Sequence, residues 1–178
     1  MKGVTMSAID NTPENKNFLS PLNFKFSLKR APHVNFFIQK VNVPSLGLPV
    51  VVFPNPMVNI PIPGEHLSYG DLDVTFKVDE DLQNYLEIHN WIKSLGKPQT
   101  FEQYKTIAAK NEYTGEGLRS DISLMVLSST KSANFEIVFA EAHPISLSGL
   151  VFNTTDDNVN YVEASASFKY TYYDINKV

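Results

Sequence analysis

Four histidines, His33, His66, His89 and His143, are the only imidazoles of this chain, and a metal or acid–base centre built from them would need at least two at a short spacing. They are scattered, with no i, i+4 pair. His33 and His143 sit beside prolines and read as turn residues, and His89 reads as an exposed helix position. Asp79, Glu80 and Asp81 form the densest acidic cluster, but a calcium loop needs acidic or amide residues alternating around a central glycine, so helix capping is the better reading. Gly115-Glu116-Gly117 lacks the Lys-Ser/Thr pair and third glycine of a phosphate loop, and Ser20, Ser68, Ser128 and Ser148 lack the Gly-x-Ser-x-Gly elbow of a serine nucleophile. The absence of cysteine removes disulfides, thiolate metal ligands and cysteine nucleophiles. Tyr170, Tyr172 and Tyr173 with Phe168 would suit base stacking only if basic residues flanked them, and a net charge of -4 with a pI near 5.5 argues against binding through phosphate neutralisation. These residues predict neither an enzyme nor a cofactor or metal site.

The elements that would hold these side chains are mostly strands. At 178 residues, with 43% hydrophobic and 12% aromatic residues, the chain suits one domain with a single core. Residues 1–19 are polar with little periodicity and read as an extended arm anchored by Phe18 and Leu19, ordering against a partner. Residues 20–178 then form one domain. Met1 to Asn17 lacks the apolar stretch of a secretory signal, and no run approaches the roughly 20 apolar residues of a membrane span, so a soluble protein made in the cytoplasm is expected.

Period-two alternation marks strands at Leu22–Leu28, from Phe36 through Val41, at Leu72–Val78, Ile122–Leu127 and Phe135–Phe139, and in one closing run from Tyr161 to Ile175. In that last run Val162, Ala164, Ala166, Phe168, Tyr170 and Tyr172 share one face, while Glu163, Ser165, Ser167, Lys169 and Thr171 share the other. Between residues 43 and 63 apolar side chains interleave with prolines, which predicts an extended segment confined to edges or to pairing with a neighbour. A helix is predicted over 79–95, with the acidic triplet at its start, Lys93 in its last turn and Gly96 and Pro98 closing it. Its apolar face puts Leu82, Leu86 and Trp91 in the core, together with Phe168 of the last strand. Phe101 to Lys110 reads as a weaker helix or helical loop. The sum is a mainly β, α+β fold: an antiparallel barrel or sandwich with one flanking helix.

The order of these segments resembles the tail tube proteins of contractile-tailed bacteriophages, a family with tube-initiating, tube-terminating and type VI secretion relatives. Phe36 to Pro44 is similar to the family's early strand and its Pro turn, and Asn59-Ile60-Pro61-Ile62-Pro63-Gly64-Glu65 to its approach to a hairpin. Leu72 to Glu80 resembles the strand that enters an acidic helix start, with Trp91 as the aromatic of that helix. Phe135 to Phe139 followed by Ala142-His143-Pro144-Ile145-Ser146 resembles a strand and its proline loop, and Tyr161 to Asp174 the terminal strand.

The resemblance implies a tube subunit that assembles into stacked homo-hexameric rings inside a contractile sheath. It also implies baseplate hub or tail terminator partners, DNA passing through the lumen without specific binding, and no membrane. The expected location is the virion tail, assembled in the host cytoplasm. Assembly would use the arm 1–19, the segment 43–63 and the loop 99–120, with Phe53, Pro54, Pro56, Met57, Ile60, Ile62, Tyr104 and Tyr113 as interface residues. The polar face of the last strand suits either the lumen or the outer wall. Two other readings stand beside this one: a single initiator or terminator ring at the baseplate or head end, and a monomeric β-sandwich module that binds a carbohydrate or peptide.

Overall fold

A computed structural model describes residues 16–96, 101–109, 117–154 and 161–178. The first strand, β1 (Phe24–Leu28), leads into a short helix α1 (Pro32–Phe37) and then β2 (Ile38–Asn42). The sequence alternation placed Phe36 and Phe37 in a strand. Pro32 at the first helical position favours helix instead, and the extended backbone resumes only at Ile38. A long hairpin follows, built from β3 (Leu46–Gly47), β4 (Val50–Phe53), β5 (Ile60–Pro63) and β6 (Ser68–Tyr69), and the chain returns to the body as β7 (Leu72–Lys77). Helices α2 (Gln83–Gly96) and α3 (Phe101–Ala108) precede β8 (Ser120–Leu127), β9 (Ala133–Leu147), β10 (Glu163–Lys169) and β11 (Tyr172–Lys177). The fold is thus mainly antiparallel β with one principal helix, the α+β class read from the sequence.

The body is one sheet in the order β1-β8-β9-β10-β7-β2, every pairing antiparallel, with β11 added to β9. Strand β9 belongs to both halves. Its first part pairs with β8 and β11 and its last part with β10, and Glu141, at φ 55°, lies where the partners change. The Ala142 to Ser146 segment, matched in sequence to a loop, is therefore strand. Pro144 is tolerated because His143 to Leu147 pairs on one side only. The closing run is likewise two strands, not one. Tyr170 and Thr171 turn the corner between them, after which the alternation inverts, so Tyr173 points inward and Tyr172 is exposed.

The core joins Phe26, Leu28, Leu72, Val74, Phe76, Ile122, Phe139, Ala164, Ala166 and Phe168 from the sheet to Ile88 and Trp91 from α2. Small Ala164 and Ala166 let α2 approach the sheet, and Trp91 fills the space against Phe168, ring centres 6.2 Å apart. The Trp91 indole donates to the Leu118 carbonyl at 3.1 Å, and Arg30 lies over its ring. Leu82 and Leu86, expected in the core, are 37% and 45% exposed. The cause is helix phase: Asn84, Ile88 and Trp91 face inward, and Leu86, two residues beyond Asn84, falls on the opposite side. Leu82 precedes the helix in a left-handed conformation, φ 57°, and the acidic triplet lies in the turn before it. Asn84, fully buried, donates to the Lys77 carbonyl at 2.8 Å and accepts the Asp79 amide at 3.2 Å, so one side chain fastens the end of β7 to the start of α2.

Candidate assembly surface

The hairpin from β2 to β7 outgrows the body. From Lys40 outward its base keeps one register through β2–β7 and β3–β6, pairing Val41 with Val74 and Leu46 with Tyr69, and the outer part slips to pair Val50 with Pro63 and Phe53 with Ile60. At the slip the Gly64 amide donates to the Pro49 carbonyl at 2.8 Å, and a Cβ there would stand 2.6 Å from that oxygen. Glycine is required by this close approach. All eight residues of β4 and β5 are exposed.

Strand propensity from Val50, Val51, Val52, Ile60 and Ile62 builds this ribbon, and the chemistry of the ribbon is unusual for a protein surface. No Asp, Glu, Lys, Arg or His occurs from Val43 through Gly64, and six of the chain's eleven prolines fall there. A two-stranded ribbon with apolar side chains on both faces has no core of its own and buries that surface only against another molecule. The expected interface residues Phe53, Pro54, Pro56, Met57, Ile60 and Ile62 all lie on this ribbon or its tip and are exposed, Met57 at 93%. Tyr104 is half-buried on α3, away from the ribbon in sequence, and Tyr113 lies outside the described residues, as do residues 1–15 of the expected arm. Of that arm Phe18 and Leu19 are described, and both are exposed.

The prolines also decide which edge of the ribbon can pair. The Gly64–Pro49 bond fixes the parity: Ile60 and Ile62 direct their amides toward β4, so Pro61 and Pro63 occupy the positions facing away. The outward edge of β5 therefore has no donor at either position, whereas Val50 and Val52 direct both N–H and C=O outward from β4. The Pro-x-Pro spacing carried this signal in the sequence, where it reads only as a restriction on pairing.

The body has a second open edge. The Leu127 amide donates to the Asn23 carbonyl, so Phe24, Phe26 and Leu28 of β1 direct their backbone groups away from β8. At Leu28 the Asn35 side chain takes the place of a strand, accepting the amide at 2.8 Å and donating to the carbonyl at 3.2 Å. Between this edge and α1 runs a groove of about 600 Å³, with Leu22 and Phe36 exposed at its rim.

Elsewhere the polar groups serve the corners of the sheet. Glu141 accepts from Thr171 and from Arg119, each at 2.7 Å, and these bonds, Thr171 first, hold its carboxyl below the usual range. His33 is hydrogen-bonded to Glu87, which raises its pKa above the ordinary imidazole value. Tyr170 donates to the Gly70 carbonyl at 3.1 Å among Tyr69, Phe139 and Tyr173, and burial pushes its hydroxyl up to about 12. Lys169 pairs with Asp71. Among the described residues no three His, Asp or Glu side chains gather as a metal site, and no helix is long and apolar enough to cross a membrane.

The body is thus an antiparallel β-fold with one principal helix that leaves an apolar ribbon exposed. No protein-family model matches the chain. It is 25% identical over 173 residues, covering 90% of each chain, to the tail tube terminator protein of Enterobacteria phage T4. In fold it is similar to the tube-terminating cap of the anti-feeding prophage, at a TM-score of 0.63 and 11% identity over 97% of this chain and 100% of that one. It is also similar to a chain in the sheath–tube complex of an extracellular contractile injection system, at a TM-score of 0.60 and 12% identity over 92% and 94% of the two chains. In sequence the chain thus resembles a phage tail tube terminator, and its fold is the one seen in tube and cap components of contractile injection systems.

Proposed function

We propose that this chain is the terminator of a contractile tail tube, forming a single hexameric ring on the head-side end of the tube. The main tube subunit, first choice from the sequence, takes second place. The carrying observation is the similarity to the T4 terminator, which runs through 90% of both chains and so includes the ribbon and both halves of the sheet. The fold similarity to the anti-feeding prophage cap, covering that whole chain, supports the same reading.

In this reading the protein works by closing edges. A tube end presents unpaired strands and uncovered apolar surface, and a ring that satisfies them on one side while offering a different outer face stops further addition. Its partners are the last tube ring and the end of the sheath, and DNA passes through its lumen without being bound. The net charge of -4 suits passage of a polyanion. No catalytic role is assigned to any residue. Quantitative mass spectrometry of purified tails tests the proposal: a terminator is present at one ring's worth of copies, far below the main tube protein. Equal abundance with the tube protein would return the chain to the main tube.

A further inference from the structure

We infer that the outer ribbon is carried on a pivot: β4 and β5 swing as one piece about the slip at Pro49 and Gly64, while the inner segment, β3 with β6, is clamped to the body by Tyr69 and Tyr170. The pivot belongs to the single chain and does not depend on which ring the chain occupies.

The hairpin is not one ladder. Its strands fall into three separate sheets, β2–β7 within the body, then β3–β6, then β4–β5, so two joints interrupt the backbone hydrogen bonds. The inner joint is held from several sides. The Gly70 amide donates to the Ser45 carbonyl at 3.0 Å, and the Gly70 carbonyl accepts the Tyr170 hydroxyl at 3.1 Å. The Tyr69 ring stands edge-on to Tyr170 and Tyr173, with 5.8 and 5.7 Å between centres, and Tyr170 packs in turn on the fully buried Phe139 at 5.1 Å. A Cβ on Gly70 would stand 3.0 Å from the Ser45 hydroxyl, so the strands are in close contact here. These contacts tie β6 to the corner between β10 and β11, which is packed into the core.

The outer joint has none of this. Across it Leu48 and Pro49 on one strand face Gly64, Glu65, His66 and Leu67 on the other, an excess of residues that breaks the ladder and bends it. Among the described residues a single backbone bond, from the Gly64 amide to the Pro49 carbonyl at 2.8 Å, spans it. Beyond it β4 and β5 pair only with each other, and all eight of their residues are exposed, so no buried contact fixes their direction. Their own ladder, from Val50 with Pro63 to Phe53 with Ile60, keeps the two strands together. A stiff piece joined through one bond at a bulge to a clamped piece is the arrangement of a hinge, where a few residues absorb the change of direction. Such a pivot lets the apolar surface meet its occupant over a range of directions, and contact then selects one of them.

The chain has no cysteine, so pairs of introduced cysteines place spin labels at chosen sites in the full-length protein. Exposed Asn90 on α2 serves as the body site, exposed Leu46 reports the inner segment and exposed Val52 the ribbon. Double electron–electron resonance, at a concentration where the chain is unassembled, reads the two distance distributions. The pair Asn90→Cys and Val52→Cys is expected to give a distribution at least about twofold wider than Asn90→Cys with Leu46→Cys. Deleting Glu65 and His66 leaves Leu48 and Pro49 facing Gly64 and Leu67, which restores one continuous register along the hairpin. That variant is expected to narrow the ribbon distribution to the width of the inner one. Tyr170→Phe removes the bond to Gly70, and both it and Tyr69→Ala are expected to widen the inner distribution. A ribbon distribution as narrow as the inner one in the wild-type chain overturns the pivot, as does a folded deletion variant whose ribbon distribution stays wide. An inner distribution unchanged in both tyrosine variants overturns the clamp. If the deletion variant does not fold, the wild-type comparison still decides the pivot.

Discussion

Replacing Asn84 with alanine should be costly for a residue that touches no partner. The side chain is fully buried and makes two bonds to backbone groups, the Lys77 carbonyl and the Asp79 amide. Alanine leaves both groups without a partner, and each such loss costs about 1–3 kcal/mol. Both backbone groups lie near the surface end of β7, where water partly replaces the lost bonds, so the low end applies to each. The expected total is about 2–3 kcal/mol, or roughly 5–10 °C in thermal midpoint for a chain of this size. Urea unfolding at a concentration where the chain is unassembled measures it, because assembly would otherwise add to the apparent stability. Asn84→Leu separates the two contributions: it restores volume without the bonds and should remain destabilised. A loss below about 0.5 kcal/mol for Asn84→Ala, or full recovery in Asn84→Leu, would refute the bridging role and leave only a packing role.

Trp91→Ala should be among the most destabilising single changes, at about 3–5 kcal/mol by urea unfolding, since it empties the space between α2 and Phe168 and strands the Leu118 carbonyl. Tyr170→Phe should cost about 1 kcal/mol at neutral pH through its bond to Gly70. The alkaline limb gives a second readout. The folded hydroxyl titrates at about 12, above its ordinary value of 10, so its stabilisation is complete below pH 10 and lost as pH rises through 12, and Tyr170→Phe should flatten that fall in a pH series of thermal midpoints. For His33 the sign is the same: Glu87 raises the folded pKa, the stabilisation is present below the ordinary value, and it fades as pH rises through the raised one. An NMR titration should show His33 above an unperturbed imidazole and moving back down in Glu87→Gln.

The strands were legible wherever one face is buried and the other wet, as in Leu72–Lys77 and Ser120–Leu127, because that arrangement writes itself as alternation. The corners were not. Strand β9 runs through Pro144, and the closing run breaks at Tyr170, because a strand that changes partners keeps its local pattern while its surroundings change. The helix was legible, but its phase was not: leucines at 82 and 86 and the inward set Asn84, Ile88 and Trp91 both fit helical spacing, and the buried amide that fixes the choice looks like a surface residue in sequence. The ribbon lies between these cases. Its prolines announced restricted pairing, yet the strand it pairs with is its own neighbour, and which edge stays open follows only from the register.

The most direct measurement places the protein on the particle. With a tag on this chain and tails imaged by electron microscopy, the terminator account predicts one cluster of label at one end of each tube, on the side away from the baseplate. Label spaced along the whole tube, or none on tails at all, would contradict it.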